Sequence, residues 1–491
     1  MNRYLRIITA IVVLLTVENT VAQNEFDVLR YSNIEHFGDA RFNAMGGSFG
    51  ALGANMSSLS INPGGLGVYK SSDFSFTPAF HLNATESKSS SNNMGTDGKL
   101  NFHIGNIGLV GTFNASNGWR NVNITIGYNR ISNFNSAISI NGKTDNSFLG
   151  TYANEINTAG ISAGSDIANS FPFSANLGYQ TYLINPMVTD STKFDHVFKD
   201  SKNIKQITNI ETKGGMGETY FGIGGNFENK LYIGAIMGVT TVRYEFNRMY
   251  KETAEESDTL TEFKSFTVND FVKTSGSGVN LKLGLIYSMT DWFRFGLAFH
   301  TPTYYSLSDN WDTRVTSEDK LGDKLVERSP LGTFDYVVTT PYRFITSGAF
   351  IVNDHGVINV DYEIVDYSTA RIRQDNNFGG GADFTIENQN IKTNFQTAHN
   401  IRVGTEWRLD PFRFRAGYRL MGDPIKSSFN TDNSSNIYSF GIGIKQEGYY
   451  FDVAYLLKTY QTQVPIVADY NDFASVNLND HYLTFTLGFR F

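Results

Sequence analysis

The chain has 491 residues, a net charge of −8 and only 18% charged side chains, and it contains no cysteine. Without thiols there is no disulfide framework, no thiolate metal site and no cysteine nucleophile. The acidic excess is spread along the chain with no basic run, which excludes the electrostatic footprint of a nucleic-acid binder.

What stands out instead is Phe (39), Tyr (26) and Gly (46). Aromatics suit a pleated surface, and glycine suits the places where strands turn or crowd. In chain order, Arg3 and Arg6 precede an apolar run from Ile7 to Val17, and Thr20-Val21-Ala22 puts small residues before Gln23. This is the pattern of a cleaved export signal over 1–22. The run is too short for a spanning helix, which needs about 20 apolar residues. No other stretch reaches that length, so membrane insertion is expected through strands.

Residues 23–72 do not alternate. Phe42, Met45, Phe49, Leu52, Met56 and Leu59 fall at helical spacing among small residues, until Pro63-Gly64-Gly65 breaks the run. Such an apolar stripe is not left in water, so a small helical hatch stored inside a barrel is expected. Gly46, Gly47, Asn62, Pro63, Gly64 and Gly65 are the candidate gate positions, with Gly67 as a further hinge. A positive φ is expected at Gly64 or Gly65, as in a turn after proline. Gly46-Gly47-Ser48-Phe49-Gly50 matches the G-x-S-x-G string of hydrolases. No hydrophobic strand precedes it, so it is no nucleophile elbow, and no enzyme is expected.

From residue 73 onward, alternating segments recur at 73–82, 100–113, 120–130, 216–228, 231–249, 276–289, 292–306, 341–353, 356–372, 399–409, 411–423, 436–446, 449–460 and 481–491. Tyr438, Phe440, Ile442 and Ile444 share one face of such a segment; Ser439, Gly441, Gly443 and Lys445 share the other. Tight turns alternate with long connections along the whole series. Long loops on one side and short turns on the other are the signature of an outer-membrane barrel. The expected fold is therefore all-β, a transmembrane antiparallel barrel of fourteen strands over 73–491, monomeric, in a Gram-negative outer membrane. A turn at Asp410-Pro411 sets Leu409 against Phe412 and Trp407 against Phe414 on the outside, with Glu406 against Arg415 inside. The last strand ends in Phe491, through which the barrel-assembly machinery is expected to engage the chain; outer-membrane lipid is the other expected partner.

Charges fall on the lumen side of the strands: Lys282, Arg294, Asp361, Glu363, Arg402, Glu406, Arg413, Arg415, Arg419, Lys445, Asp452 and Lys458. The plain reading is a network that joins wall to hatch. The functional one is that Lys282, Arg294, Arg402 or Arg419 meets a ligand carboxylate. The eight His are scattered without ligand spacing, so no metal and no cofactor is expected, with a haem-binding receptor kept as an alternative.

Phe42-Asn43-Ala44-Met45-Gly46-Gly47, Asn62-Pro63-Gly64-Gly65 and Val68-Tyr69 resemble the FadL/TodX family of hydrophobic-compound channels, some versions of which are labelled hemin receptors. So do Ser275-Gly276-Ser277-Gly278, Leu281-Lys282-Leu283-Gly284, Phe299-His300-Thr301-Pro302, Ile401 to Arg408 and Arg415-Ala416-Gly417-Tyr418. The resemblance spans nearly the whole mature chain and implies a fourteen-stranded barrel with an N-terminal hatch. The implied function is passive uptake of a hydrophobic small molecule of the long-chain fatty-acid or aromatic-hydrocarbon class. Gly64 departs from the Asn-Pro-Ala of fatty-acid members. Loop 131–215 carries Phe148, Leu149, Tyr152, Ile156, Ile161, Ile167, Phe171, Phe173 and Leu177. It packs either as a cap of its own or as an external apolar groove that collects ligand, and the resemblance favours the groove. The rival function is a protein-binding barrel of a secretion machinery, with that loop as a platform.

Overall fold

The computed structural model describes residues 24–89, 94–161, 165–353, 355–375, 383–426, 432–465 and 473–491. The export-signal segment lies outside them. Fourteen strands run antiparallel around a closed wall. They are β1 (Asp73–Lys88), β2 (Met94–Asn114), β3 (Trp119–Asn133, resuming as Ser136–Thr144), β4 (Ile204–Phe227), β5 (Leu231–Thr253), β6 (Phe263–Ser288) and β7 (Phe293–His300, resuming as Tyr304–Asp319). There follow β8 (Gly332–Thr339 and Arg343–Val352), β9 (Gly356–Asp366 and Arg371–Gln374), β10 (Thr397–Leu409), β11 (Phe412–Met421), β12 (Ser435–Lys445), β13 (Tyr449–Pro465) and β14 (Phe473–Arg490). β14 returns to β1 from Asp73↔Arg490 to Lys88↔Ser475, so the sheet closes on itself.

The alternation read from sequence is the alternation seen. Tyr438, Phe440, Ile442 and Ile444 are exposed outward, whereas Ser439 is fully buried in the lumen. The expected hairpin register holds at Leu409↔Phe412, Trp407↔Phe414 and Glu406↔Arg415. An exterior of Phe, Leu, Ile and Tyr side chains is stable against hydrocarbon and costly against water.

Several strands run far beyond the expected segments. β3 continues to Thr144, and β4 begins at Ile204 rather than near residue 216. There Asn141, Lys143, Lys205, Asn209, Glu211 and Lys213 share one face and Ser, Thr and Gln join Ile on the other, so the outward apolar stripe of the barrel strands is lost while the ladder continues. Between them, the described residues of 145–161 and 165–203 fold as a cap. Its helices Leu149–Ala159, Ser165–Ser170 and Ala175–Gln180 bury Leu149, Tyr152, Ile156, Ile167 and Leu177 against Tyr250, Phe266, Val268 and Val315, which face inward on β5, β6 and β7. The loop is thus a cap whose core is shared with the strands beneath it. The expected external groove is not formed by these buried side chains, because they pack against one another and against the inward faces of β5, β6 and β7.

The cap is fastened at Glu252, whose carboxylate accepts from Phe148 N (2.9 Å), Gln206 Nε2 (3.2 Å), Ser147 Oγ and Tyr250 Oη. Ser317 lies beneath it and donates to Thr181 O at 3.0 Å. If long loops face the cell exterior, cysteines replacing Ser191 or Leu321 will react with a membrane-impermeant maleimide on intact cells. One replacing Ser116, in the short β2–β3 turn, will not. Labelling at Ser116 would invert the topology.

Candidate functional site

Most of residues 24–72 pack against the inner face of the wall, with Phe42, Met45, Phe49, Leu59 and Leu66 fully buried. Asn24 caps the helix Glu25–Ser32 and Asp39 caps Ala40–Ala44, so local chemistry starts each short element. The segment is seated against lumen-facing glycines of the wall. A Cβ on Gly234 would lie 2.1 Å from Pro63 O, on Gly284 2.0 Å from Asn62 Oδ1, on Gly404 2.4 Å from Met45 O and on Gly417 2.1 Å from Gly46 N. These wall positions have to be glycine for the segment to approach so closely.

Gly46 and Gly47 adopt φ of +62° and +73°, where side chains are costly. Gly64 and Gly65 do not have the expected positive φ. They sit in the 3-10 turn Pro63–Val68, with Asn62 Oδ1 accepting from Gly64 N at 2.9 Å and proline at its first position. What Gly64 supplies is proximity: a Cβ there would lie 2.8 Å from the Leu285 backbone. Asn62 Nδ2 completes the seat by donating to Gly50 O at 2.6 Å and to Leu285 O at 3.0 Å. A Cβ on Gly67 would meet Gly225 O at 2.3 Å.

The four headgroup candidates are not gathered into one site. Lys282 is buried against Glu218. Arg402 pairs with Glu363, which also accepts from Arg343 Nη1 at 2.5 Å. Arg419 donates Nε to Gly46 O at 2.8 Å and Nη1 to Glu35 O. Arg294 reaches Leu52 O at 3.3 Å. Arg41 of the inner segment bonds Glu406 at 2.8 Å, and Arg415 joins Glu406 (2.7 Å) to Asp452 (2.6 Å). Asp361 receives the backbone N–H of Phe49 at 2.9 Å and of Gly50 at 3.0 Å. Arg419, Arg294, Arg41–Glu406 and Asp361 tie the inner segment to the wall, whereas Lys282–Glu218, Arg402–Glu363 and Arg415–Asp452 tie strand to strand. The partners Glu218, Arg343, Glu35 and Arg41 were not singled out from sequence; alternation alone could have placed Glu218 and Arg343 on the inner face.

The feature that sequence did not reveal is a seam. β2 pairs with β3 from Asn106↔Asn129 to Asn114↔Asn121, but among the described residues Met94–Gly105 has no partner on that side. β3 breaks at Phe134-Asn135, and β4 opposite it kinks at Gly214 and Gly215, with φ of +108° and +156°. Above the break, Ser136–Thr144 has turned inward past β2. Its backbone meets inward side chains of β1 instead: Ala137 O accepts from Thr85 Oγ1 at 2.7 Å, and Ala137 N donates to Asn83 Oδ1 at 3.2 Å. Arg130 Nη2 (2.7 Å) and Asn135 Nδ2 (3.1 Å) both donate to Gly214 O and fix the kink.

Two cavities lie along this overlap. One of about 730 Å³ runs between Lys99 on β2 and Glu211, Arg248, Asp270 and Arg314. The other, about 470 Å³, lies at the seam between Asn101, His103, Arg130 and Lys213. Leu100, Phe102 and Ile104 form an exposed apolar lip on the outer face of β2.

A closed fourteen-stranded wall with an apolar exterior and a filled, polar lumen defines an outer-membrane β-barrel. No family model matches the sequence, and no curated protein sequence is significantly similar to it. Solved structures do match. The toluene transporter TodX of Pseudomonas putida superposes with a TM-score of 0.53 at 12% identity over 94% of this chain and 99% of that one. A Pseudomonas aeruginosa FadL homologue gives 0.54 at 9% identity over 92% and 98%. The chain shares the FadL/TodX fold, which bears out the sequence resemblance at the level of architecture.

Proposed function

We propose that the protein is a passive outer-membrane channel for hydrophobic small molecules, and that the seam between β2 and β3 is the port through which they cross the wall. The observation that carries this reading is the unpaired edge of β2 above Asn106. The inner segment occupies the lumen, and the cap covers inward faces of β5, β6 and β7. An opening in the side of the wall offers a route that passes neither. Its lip of Leu100, Phe102 and Ile104 favours an apolar molecule, because transfer from water yields about 25 cal/mol per Å² of apolar surface. That its structural neighbours include a toluene transporter supports the same class of cargo. The cap is drawn inward onto the strand ends and does not stand out as a platform, which weighs against the secretion-docking alternative.

Candidate gate elements are Gly46, Gly47 and the Asn62-Pro63-Gly64-Gly65 turn, which would shift against the glycine seats to connect seam and lumen. The test is uptake of radiolabelled toluene and oleate by cells with and without the barrel. Cells that carry it should accumulate at least one of the two faster than barrel-free cells. Equal rates across a broad hydrophobe panel would sink the channel reading and return the cap to consideration as a docking surface.

A further inference from the structure

We propose that a small monovalent inorganic anion of the chloride class sits between Arg402 and Arg419 and fastens the inner segment to the wall. The two residues stand directly opposite each other across the β10–β11 ladder, and both are fully buried. Like charges in directly opposite positions are destabilising, and burial removes the water that would screen them. Of the charges around Arg419, that of Arg402 acts on it most strongly.

The acids at hand do not balance this pair. Arg402 Nη2 donates to Glu363, but that carboxylate also serves Arg343. Asp361, opposite Arg402 on β9, accepts instead from Phe49 N, Gly50 N and Asn359 Nδ2. Arg419 has no ion-pair partner among the described residues; its Nε and Nη1 go to the carbonyls of Gly46 and Glu35. The guanidiniums of Arg343, Arg402 and Arg419 thus face the carboxylates of Glu363 and Asp361, all buried. One positive charge is left over, and a buried charge without a counterion is costly.

The hydrogen-bond inventory points the same way. Arg402 Nε and Nη1 and Arg419 Nη2 are buried without a partner. Guanidinium N–H groups only donate, so what they lack is an acceptor. A water would accept from them but bring no charge; a monovalent anion supplies both. Both ring nitrogens of buried His36, the residue after Glu35, also lack partners, and Arg402 is the charge that acts most strongly on that ring. Its N–H is a further donor for the same ion. The surroundings are tight: a Cβ on Gly47 would lie 2.3 Å from Arg419 Nη2 and 3.1 Å from the Phe42 ring. Such crowding favours a spherical ion over a headgroup that trails a chain.

Thermal unfolding of the purified full-length barrel in nonionic detergent tests this, in sodium chloride against sodium gluconate at equal ionic strength and pH. Both salts screen exposed charges alike, but gluconate is too bulky for the site. An ion that binds only the folded state raises the midpoint with the logarithm of its concentration. Tm should therefore climb with each tenfold step in chloride or bromide and stay flat in gluconate. Arg419→Met should abolish the difference between the salts, whereas Arg419→Lys, which keeps the charge, should retain part of it. Should Arg419→Met fail to assemble, crystals of the wild-type barrel grown in bromide decide: an anomalous peak should lie within hydrogen-bond distance of both Arg402 and Arg419. Equal midpoints in the two salts, or no bromide peak between these arginines, would overturn the proposal. A barrel stabilised by oleate yet indifferent to chloride would overturn it too.

Discussion

Glu363→Ala will lower the stability of the folded barrel by about 3–5 kcal/mol, the usual cost of removing one partner from a buried ion pair. The side chain is fully buried and holds two guanidiniums, Arg343 and Arg402, whose side chains are 4% and 0% exposed. Arg343 also donates to Ser32 O, so the carboxylate ties the inner segment to the wall through it. Alanine leaves two positive charges side by side without their shared acid. The backbone ladder around position 363, paired with Ile345 and Asn400, is not altered. The wall should therefore assemble while the urea midpoint of the heat-modifiable band falls. Adding Arg402→Met to Glu363→Ala removes one orphaned charge and should recover part of the loss. A midpoint shift worth less than about 1 kcal/mol, within the range of ordinary substitutions, would show that the pair is not structural.

The wall was legible because a barrel strand writes its two faces into a period of two, and a one-residue slip would turn every outward Phe or Ile into the lumen. Tyr438 to Ile444 and the Asp410-Pro411 hairpin are of this kind. The upper strands were not legible as wall, since Asn, Lys and Glu take one face of 136–144 and 204–213 and the other mixes Ile with Ser, Thr and Gln, which leaves no apolar stripe for lipid. The apolar content of 145–203 was visible, but its use as a core depends on Tyr250, Phe266 and Val315 from distant strands. Charges at 282, 402 and 419 were placed on the correct face. Their roles were not, because each is decided by a partner far away in sequence, such as Glu218, Glu363 or the carbonyl of Gly46. Gly64 was read as a turn glycine when it is a contact glycine, a distinction that needs the Leu285 backbone opposite it. The seam was hidden for a deeper reason. Leu100, Phe102 and Ile104 alternate in the same way whether or not β2 has a neighbour, so side-chain pattern does not report pairing. The local signals were Asn133-Phe134-Asn135 and Gly214-Gly215, a break and a kink at matching heights on adjacent strands.

Closing the seam reversibly tests the central claim most directly, and the absence of cysteine from the chain makes this possible. Asn101 on β2 and Lys213 on β4 stand on opposite banks of the seam cavity. With Asn101→Cys and Lys213→Cys, a short bis-methanethiosulfonate reagent can bridge the opening through two reducible disulfides in an already folded barrel. Uptake of labelled toluene and oleate is then measured on the same preparation before bridging, after bridging and after reduction. Each single-cysteine variant, treated identically, controls for modification alone. If hydrophobes cross at this seam, bridging will cut uptake to near the barrel-free rate, and reduction will restore it. Uptake that is undiminished while mass spectrometry shows the bridge complete would contradict the account and move the pathway into the lumen.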